Sequence, residues 1–363
     1  MERKLVTIRE IAAVNPIPDA DAIEVVTVDG WKVVSKKNEF KPGDLCLYFE
    51  IDSFLPIKPE YEFLRKSSYK KVIDGTEGFR LKTVKLRGQI SQGLVMPISE
   101  DILKTLAPVA SSDLRTLLDQ DLTELFGVTK WEPPLSACLS GLVKGNFPSH
   151  TPKSGQERIQ NLKYFFELYK DEEFEMSLKL DGSSCTMYLD REDVFGVCSR
   201  NLDLKPDESN SFWKQAYIHG VEDRLKIIHS VSGLNLSIQA ELVGEGIQEN
   251  HEKIKGQDLY VFNIWDQHLG RSLTPSERHA TLDALNDLQV LGSKPLKHVP
   301  VIGYEKVFTK YQTLEALFEF VESLAGMNPG VILEGVVFKS VRPINGSIVS
   351  FKIVSNKYLL SKK

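Results

Sequence analysis

No run of about 18 uncharged apolar residues occurs anywhere in the 363 residues, so nothing in the chain reads as a membrane-spanning helix. The opening Met1-Glu2-Arg3-Lys4 leads into alternating residues and not into the apolar core of a signal peptide, which predicts an intracellular protein, cytoplasmic or nuclear. Cysteine is scarce. The four present, Cys46, Cys138, Cys185 and Cys198, form no C-x-x-C pair, which excludes a disulfide scaffold and predicts reduced thiols. The seven histidines form neither H-E-x-x-H nor a Cys/His ladder, leaving zinc without an evident ligand set. There is no Gly-Lys dipeptide, hence no phosphate-binding G-x-x-x-x-G-K-[ST] loop. Nor is there an excess of positive charge: 45 basic against 50 acidic residues exclude a uniformly basic nucleic-acid binder and leave room only for local patches. What is present, 42% hydrophobic and 26% charged residues, is ordinary for globular proteins, and the length favours more than one domain.

The first hundred residues read as short strands. Ala22 to Val28 and Trp31 to Val34 flank Asp29-Gly30, a two-residue hairpin signal, and Lys41-Pro42-Gly43 precedes a run from Asp44 to Ile51. With Lys4 to Ala13, Phe79 to Leu86 and Gly93 to Ile98, the strand number and length suit a small barrel of the OB type. Asp101 to Phe126 turns helical. Trp131-Glu132-Pro133-Pro134 and the Gly/Pro/Ser-rich stretch to Gly155 read as a connector, which divides the chain into 1–135, a connector 136–155, and 156–363. Helical spacing over Gln156 to Lys170 then leads into a strand-rich region with helices at Ser211 to His219, Pro275 to Leu288 and Thr313 to Leu324. Strands and helices mix without strict alternation, so the expected class is α+β with antiparallel sheets.

Lys179-Leu180-Asp181-Gly182 stands at the end of an apolar strand. K-x-D-G alone arises by chance in roughly one chain of this length in ten, so its company decides. Downstream follow Ser199-Arg200-Asn201, Glu241 within Gln239-Ala240-Glu241-Leu242-Val243-Gly244, and Phe262 within Val261-Phe262-Asn263-Ile264. Glu334-Gly335-Val336-Val337-Phe338-Lys339 and Phe351-Lys352-Ile353-Val354 close the set. This ordered series resembles the motifs of the covalent nucleotidyltransferases, the superfamily of polynucleotide ligases and messenger-RNA capping enzymes. Its closest likeness is to RNA ligases of family 5, which place an OB module ahead of a nucleotidyltransferase (ATP-grasp-like ligase) domain.

The resemblance implies an ATP-dependent RNA ligase that joins 3′-hydroxyl and 5′-phosphate RNA ends, in nicked duplexes, acting as a monomer. In its scheme Lys179 attacks the α-phosphorus of ATP to give lysyl-AMP; the adenylate passes to the RNA 5′-phosphate and a 3′-hydroxyl displaces AMP. A lysine must shed its proton to attack, and charge must be neutralised at phosphorus. The resemblance therefore sets Lys339 and Lys352 on the α-phosphate and assigns Asp181, Glu241 and Glu334 to Mg²⁺ or Mn²⁺. It stacks Phe262 on adenine opposite Val336 or Val337, and gives Arg200 a ribose or phosphate contact and Arg158 the β- and γ-phosphates. Two departures stand out: Ser184 fills the arginine position of K-x-D-G-x-R, and Val354 fills that of a second lysine, with Lys357 three residues on.

Plainer readings exist for several of these. Phe262 also reads as strand core, and Arg158 and Arg200 as surface residues. In the first domain Arg80, Lys82, Lys85 and Arg87 read equally as a nucleic-acid face or as charged sheet edges. The six basic residues from Lys339 onward, with no acidic one, predict phosphate contact. Capping guanylyltransferases and DNA ligases share K-x-D-G, but they resemble a plan with an OB domain after the last motif, and eleven residues follow Lys352 here. A non-catalytic RNA-binding protein would be expected to have lost Lys179 or its carboxylates, and all are present.

Overall fold

The computed structural model describes residues 3–72, 75–111, 113–131, 141–162 and 164–362. The chain forms two compact units, Met1–Leu135 with Leu360–Lys363, and Ser136–Leu359. Of the expected connector 136–155, residues 136–140 lie outside the described residues, and Val143–Asn146 is not connector but a strand. Among the described residues no helix is long and apolar enough to cross a membrane.

In the first unit five strands pair in the order Leu94–Pro97, Leu45–Phe49, Val6–Pro16, Ile23–Val28 and Trp31–Lys36. Strand Val6–Pro16 serves both halves. Its first residues pair with Leu45–Phe49 and its last with Ile23–Val28, and the register shifts between Ile11 and Ala13, a bulge that bends the strand as closing a barrel requires. Asp29, at φ 51, turns the hairpin that the Asp-Gly pair predicts, with Val28 opposite Trp31. Among the described residues the helical stretch is shorter than expected, with helix Glu100–Leu106 and a 3₁₀ turn at Leu114–Leu117.

The second unit contains two principal sheets. Eight strands form one, running Val143–Asn146, Leu202–Leu204, Phe195–Cys198, Ser183–Leu189, Leu236–Gly244, Gln257–Asp266 and Arg271–Ser272, with Lys297–His298 alongside Gln257–Asp266. It turns Ile238, Ala240 and Leu242 into a core shared with Trp213, Leu225 and Leu282 of helices Ser211–Ile218, Val221–Ser232 and Pro275–Asp287. The second of these helices is absent from the sequence expectation. The other sheet has five strands, Glu157–Arg158, Ser350–Val354, Gly335–Ser340, Phe174–Lys179 and Val301–Glu305, antiparallel except for the first pair. Here the side-chain period of two sorts the residues. Phe174, Met176, Leu178, Val336, Phe338, Phe351 and Ile353 enter one core, where the Phe338 and Phe351 rings stack 4.5 Å apart. The alternate residues line the opposite face.

Gln156 to Lys170 is not one helix. It forms the Glu157–Arg158 strand, a 3₁₀ turn and the short helix Phe165–Leu168. Its aromatics satisfy themselves tertiarily: Phe165 meets Phe351 at 5.9 Å and Phe166 meets Phe308 at 4.8 Å, which overrides helical spacing.

Candidate active site

Cross-strand register brings the predicted residues of the five-stranded sheet into three rungs on one face. Lys179 pairs with Gly335 and Gly335 with Val354; Ser177 with Val337, Val337 with Lys352 and Lys352 with Arg158; Glu175 with Lys339 and Lys339 with Ser350. Rungs two residues apart are separated by about 7 Å, so Lys339 stands roughly 13 Å along the strands from the Lys179 rung. Lys352 and Arg158 occupy the middle rung. Arg158, 6% exposed, is a buried strand residue and not a helix-surface one.

The facing sheet supplies Glu241, paired with Ser184 on one side and Tyr260 on the other. Asp181 and Gly182 form the link from the Lys179 strand to the Ser183 strand. Glycine is needed there: a Cβ on Gly182 would lie 2.3 Å from the Leu242 carbonyl oxygen and 2.7 Å from Val243 Cγ1. Gly182→Ala is therefore expected to cost about 2 kcal/mol or more, by overpacking against backbone, and to disturb Glu241 next to it. Thermal melting combined with covalent nucleotide labelling checks this, and an alanine variant that melts and labels like the parent would refute it.

Lys179 Nζ donates to Glu334 Oε1 at 2.8 Å, with the lysine side chain 27% exposed. Burial alone pulls its pKa down, but the charges of Glu334, Glu241 and Asp181 outweigh that, and the net shift is upward. The resting amine is thus held as ammonium, and Lys339 is not the neighbour that would lower its pKa. Burial pushes the Glu241 carboxyl up to about 8; Lys179 pulls it down, Glu334 and Asp181 add to the rise, and Arg200, exposed but close enough to act, pulls down. Glu334 is 8% exposed and its Oε2 has no hydrogen-bond partner among the described residues. Three carboxylates converging on one lysine, one of them with a buried orphan oxygen, fit a hard divalent cation.

Phe262 sits at a bulge. Gln239 pairs with Asn263 and Ala240 with Val261, so Phe262 is the extra residue of its strand. A bulge re-aims a side chain and releases its backbone from the ladder. Lys339 Nζ donates to the Phe262 carbonyl and lies 5.7 Å from the ring centroid. Both border a cavity of about 470 Å³, including its open mouth, lined also by Gln239, Asn263, Lys153 and Ser350. Burial, with Arg278 second, holds the Lys339 pKa well below the ordinary value, and Glu175 offsets this in part. Lys339 therefore belongs to the aromatic end of the face, away from Lys179. Val337, half-buried on the same face, is available to a ligand, whereas Val336 is fully buried in the core.

Ser184, in the arginine position, places its hydroxyl 3.2 Å from that of Ser154. The basic tail is partly spoken for: Arg342 pairs with Glu172 at 2.8 Å, and Lys357 donates to the Glu322 carbonyl at 3.1 Å. In the first unit Arg80 lies over Trp131, 5.1 Å from the ring centroid, while Lys85 and Arg87 stay exposed on the hairpin of Val84–Leu86 and Gln89–Ser91.

Two residues of the site carry no sequence signal. Glu252, 2% exposed, accepts the Asp181 main-chain N–H at 3.3 Å, and burial raises its pKa. Tyr358 hydrogen-bonds the Asp181 carboxylate. The fold also gathers Glu175, His279 and His298, with candidate ligand atoms within 4.8 Å of one another. That group is already satisfied. Arg278 pairs with Glu175, and its Nε donates at 2.8 Å to His298 Nε2, while His279 and Tyr304 also contact Glu175, at 3.0 and 3.2 Å. A cation there would face a guanidinium.

An OB-fold domain family matches residues 5–98, and the RNA ligase family matches residues 172–354. No curated protein matches the sequence. Among solved structures, an aspartate-to-alanine variant of Naegleria gruberi RNA ligase without ligand is similar, with TM-score 0.84 and 40% identity, covering 98% of this chain and 97% of that one. The same organism's RNA ligase with pyrophosphate gives TM-score 0.83 and 41% identity, over 99% and 98%. A lysine-to-alanine variant with ATP and Mn gives TM-score 0.83 and 40% identity, over 98% of each.

Proposed function

Since this chain belongs to the RNA ligase family and is an ATP-dependent RNA ligase, we propose that it seals 3′-hydroxyl and 5′-phosphate RNA ends in nicked duplexes through a lysyl-AMP on Lys179. The observation that carries the reading is the three-rung face, which runs from the lysine among carboxylates, past Lys352 and Val337, to Lys339 and the Phe262 cavity. A mononucleotide laid along it has its phosphate at Lys179 and its base at Phe262.

Lys179 Nζ forms the bond to the α-phosphorus as the bond to the leaving pyrophosphate breaks. Its proton must first be lost, and Glu334 Oε1 is the group placed to receive it. Lys352 and Arg158, on the middle rung, neutralise phosphate charge; Lys339 donates to the base edge while Phe262 stacks on its plane and Val337 packs against the other side. Arg200 serves the ribose or phosphate. Asp181, Glu241 and Glu334 would hold the divalent cation, Mg²⁺ or Mn²⁺, which supplies charge neutralisation at the reacting phosphate. Variants of the Naegleria relative support these roles by spacing: one is altered at a lysine, one at an aspartate two positions beyond it, and one at an arginine 21 positions before it, the separations of Asp181 and Arg158 from Lys179.

Sealing assays test the substrate. With ATP and Mg²⁺, a duplex nick flanked by RNA 3′-hydroxyl and 5′-phosphate ends is expected to be joined about tenfold or more faster than the same ends on single strands, since a duplex pre-aligns them. Equal rates would remove the nick reading. Covalent labelling by GTP and not ATP would move the enzyme to capping chemistry.

A further inference from the structure

The carboxylates around Lys179 rest on unequal backbones. Glu241 is locked between Ser184 and Tyr260 in a sheet ladder. Glu334 adjoins a strand, and its carbonyl accepts the Ser355 N–H at 2.9 Å. Asp181 lies in the link between strands, outside both ladders. Two other groups fix it instead: Glu252 Oε1, on its main-chain N–H at 3.3 Å, and the Tyr358 hydroxyl, on its carboxylate.

Tyr358 is itself well anchored. It is 6% exposed, and its ring meets the His251 imidazole edge-on, with centroids 5.0 Å apart and planes at 88°; His251 Nε2 lies 2.6 Å from the Ile332 carbonyl oxygen. The start of its helix is fastened by the Ser355 hydroxyl on the Tyr358 N–H at 3.3 Å and by Glu322 on the Asn356 N–H at 3.0 Å. We infer that Tyr358 is a positioning residue for lysine adenylylation, its hydroxyl holding the Asp181 carboxylate in the orientation that serves the cation beside Lys179. The inference rests on the role proposed above for Asp181. A carboxylate on a turn has rotamers to choose from, and the ammonium two residues back offers a competing partner. A phenol donor that occupies one oxygen fixes the rotamer. Outer groups of this kind are commonly worth ten- to hundredfold in metal affinity or rate.

Tyr358→Phe keeps the ring and deletes the donor. Its melting temperature is expected to match the parent. Mn²⁺ alone, titrated by the electron paramagnetic resonance of the free ion without nucleotide, should half-saturate at about three- to tenfold higher concentration. Single-turnover adenylate transfer to the protein should slow about ten- to hundredfold, with the KM for ATP within about twofold. In an Asp181→Asn background the same tyrosine change should have no further effect on either measurement, because the path through Asp181 is already cut. A Phe variant that binds Mn²⁺ and accepts adenylate like the parent would overturn the inference, as would a full tyrosine effect persisting in Asp181→Asn. Failure of the parent protein to take up adenylate would strike the ligase reading instead, and the Mn²⁺ titration would still decide the part played by Tyr358.

Discussion

Lys179→Met is expected to yield a folded protein that takes up no adenylate, with covalent labelling reduced by at least about 10⁴-fold. Methionine keeps the unbranched stem and removes only the nucleophile, so packing near Leu178 and Leu180 is preserved. The cost falls on the acids. Glu334 Oε1 loses its 2.8 Å partner while Oε2 already has none among the described residues, so the variant should be less stable than the parent at neutral pH in chelator. Attack of a 3′-hydroxyl on an already adenylated RNA 5′-end needs no amine nucleophile. The same variant should therefore seal a pre-adenylated nick with a far smaller loss than the one it shows with ATP. Intact-mass analysis reads the first outcome and gel-resolved sealing the second. An adduct that survives in Lys179→Met would mean that another side chain is the nucleophile. Equal loss in both reactions would mean that the lysine serves the pocket as a whole.

Glu241→Gln is expected to give a more stable protein and a poorer enzyme. Burial is the main reason the Glu241 carboxyl titrates near 8 and not at the ordinary 4.5. Between those values the folded state keeps a proton that the unfolded chain has lost, so the stability Glu241 contributes is present below about 4.5 and is lost as pH rises through 8. For the metal-free protein the loss is on the order of 5 kcal/mol. Glutamine does not titrate. Its curve of melting temperature against pH should be flatter, exceeding the parent by roughly 10–20 °C at pH 8.5 in chelator and converging with it near pH 5. Adenylate transfer should fall about 10²-fold, since a carboxylate serving the reacting phosphate is gone. Parallel melting curves for the two proteins across this pH range would show that Glu241 is not the desolvated acid described here.

Local physics made much of this molecule readable. Period-two alternation in Phe174–Lys179 and Ser350–Val354 separates core from site without knowledge of what pairs with what. Asp29-Gly30 and the helices beginning at Ser211, Pro275 and Leu314 also follow from short-range rules. Register is where linear reading ran out. The family resemblance sets Lys339 on the α-phosphate, yet pairing opposite Glu175 carries it two rungs away from Lys179. Choosing Val337 over Val336 likewise required the pleat. The stretch from Gln156 misled because its aromatics answer to Phe308 and Phe351, far along the chain. Glu252 and Tyr358 belong to segments that resemble an ordinary polar loop and an ordinary helix; only the approach of their ends to Asp181 distinguishes them.

The extra residue at Phe262 constrains anyone who would redesign the base pocket. Removing Phe262 would restore a regular ladder with Leu236–Gly244, Val261 and Asn263 keeping their partners Ala240 and Gln239, and the only thing lost would be the re-aimed ring itself. Altered nucleotide preference must therefore come from substitutions that conserve residue count. Sequence alignments that close a gap there would line up the wrong amino acid with the ring, however well the flanking strands agree.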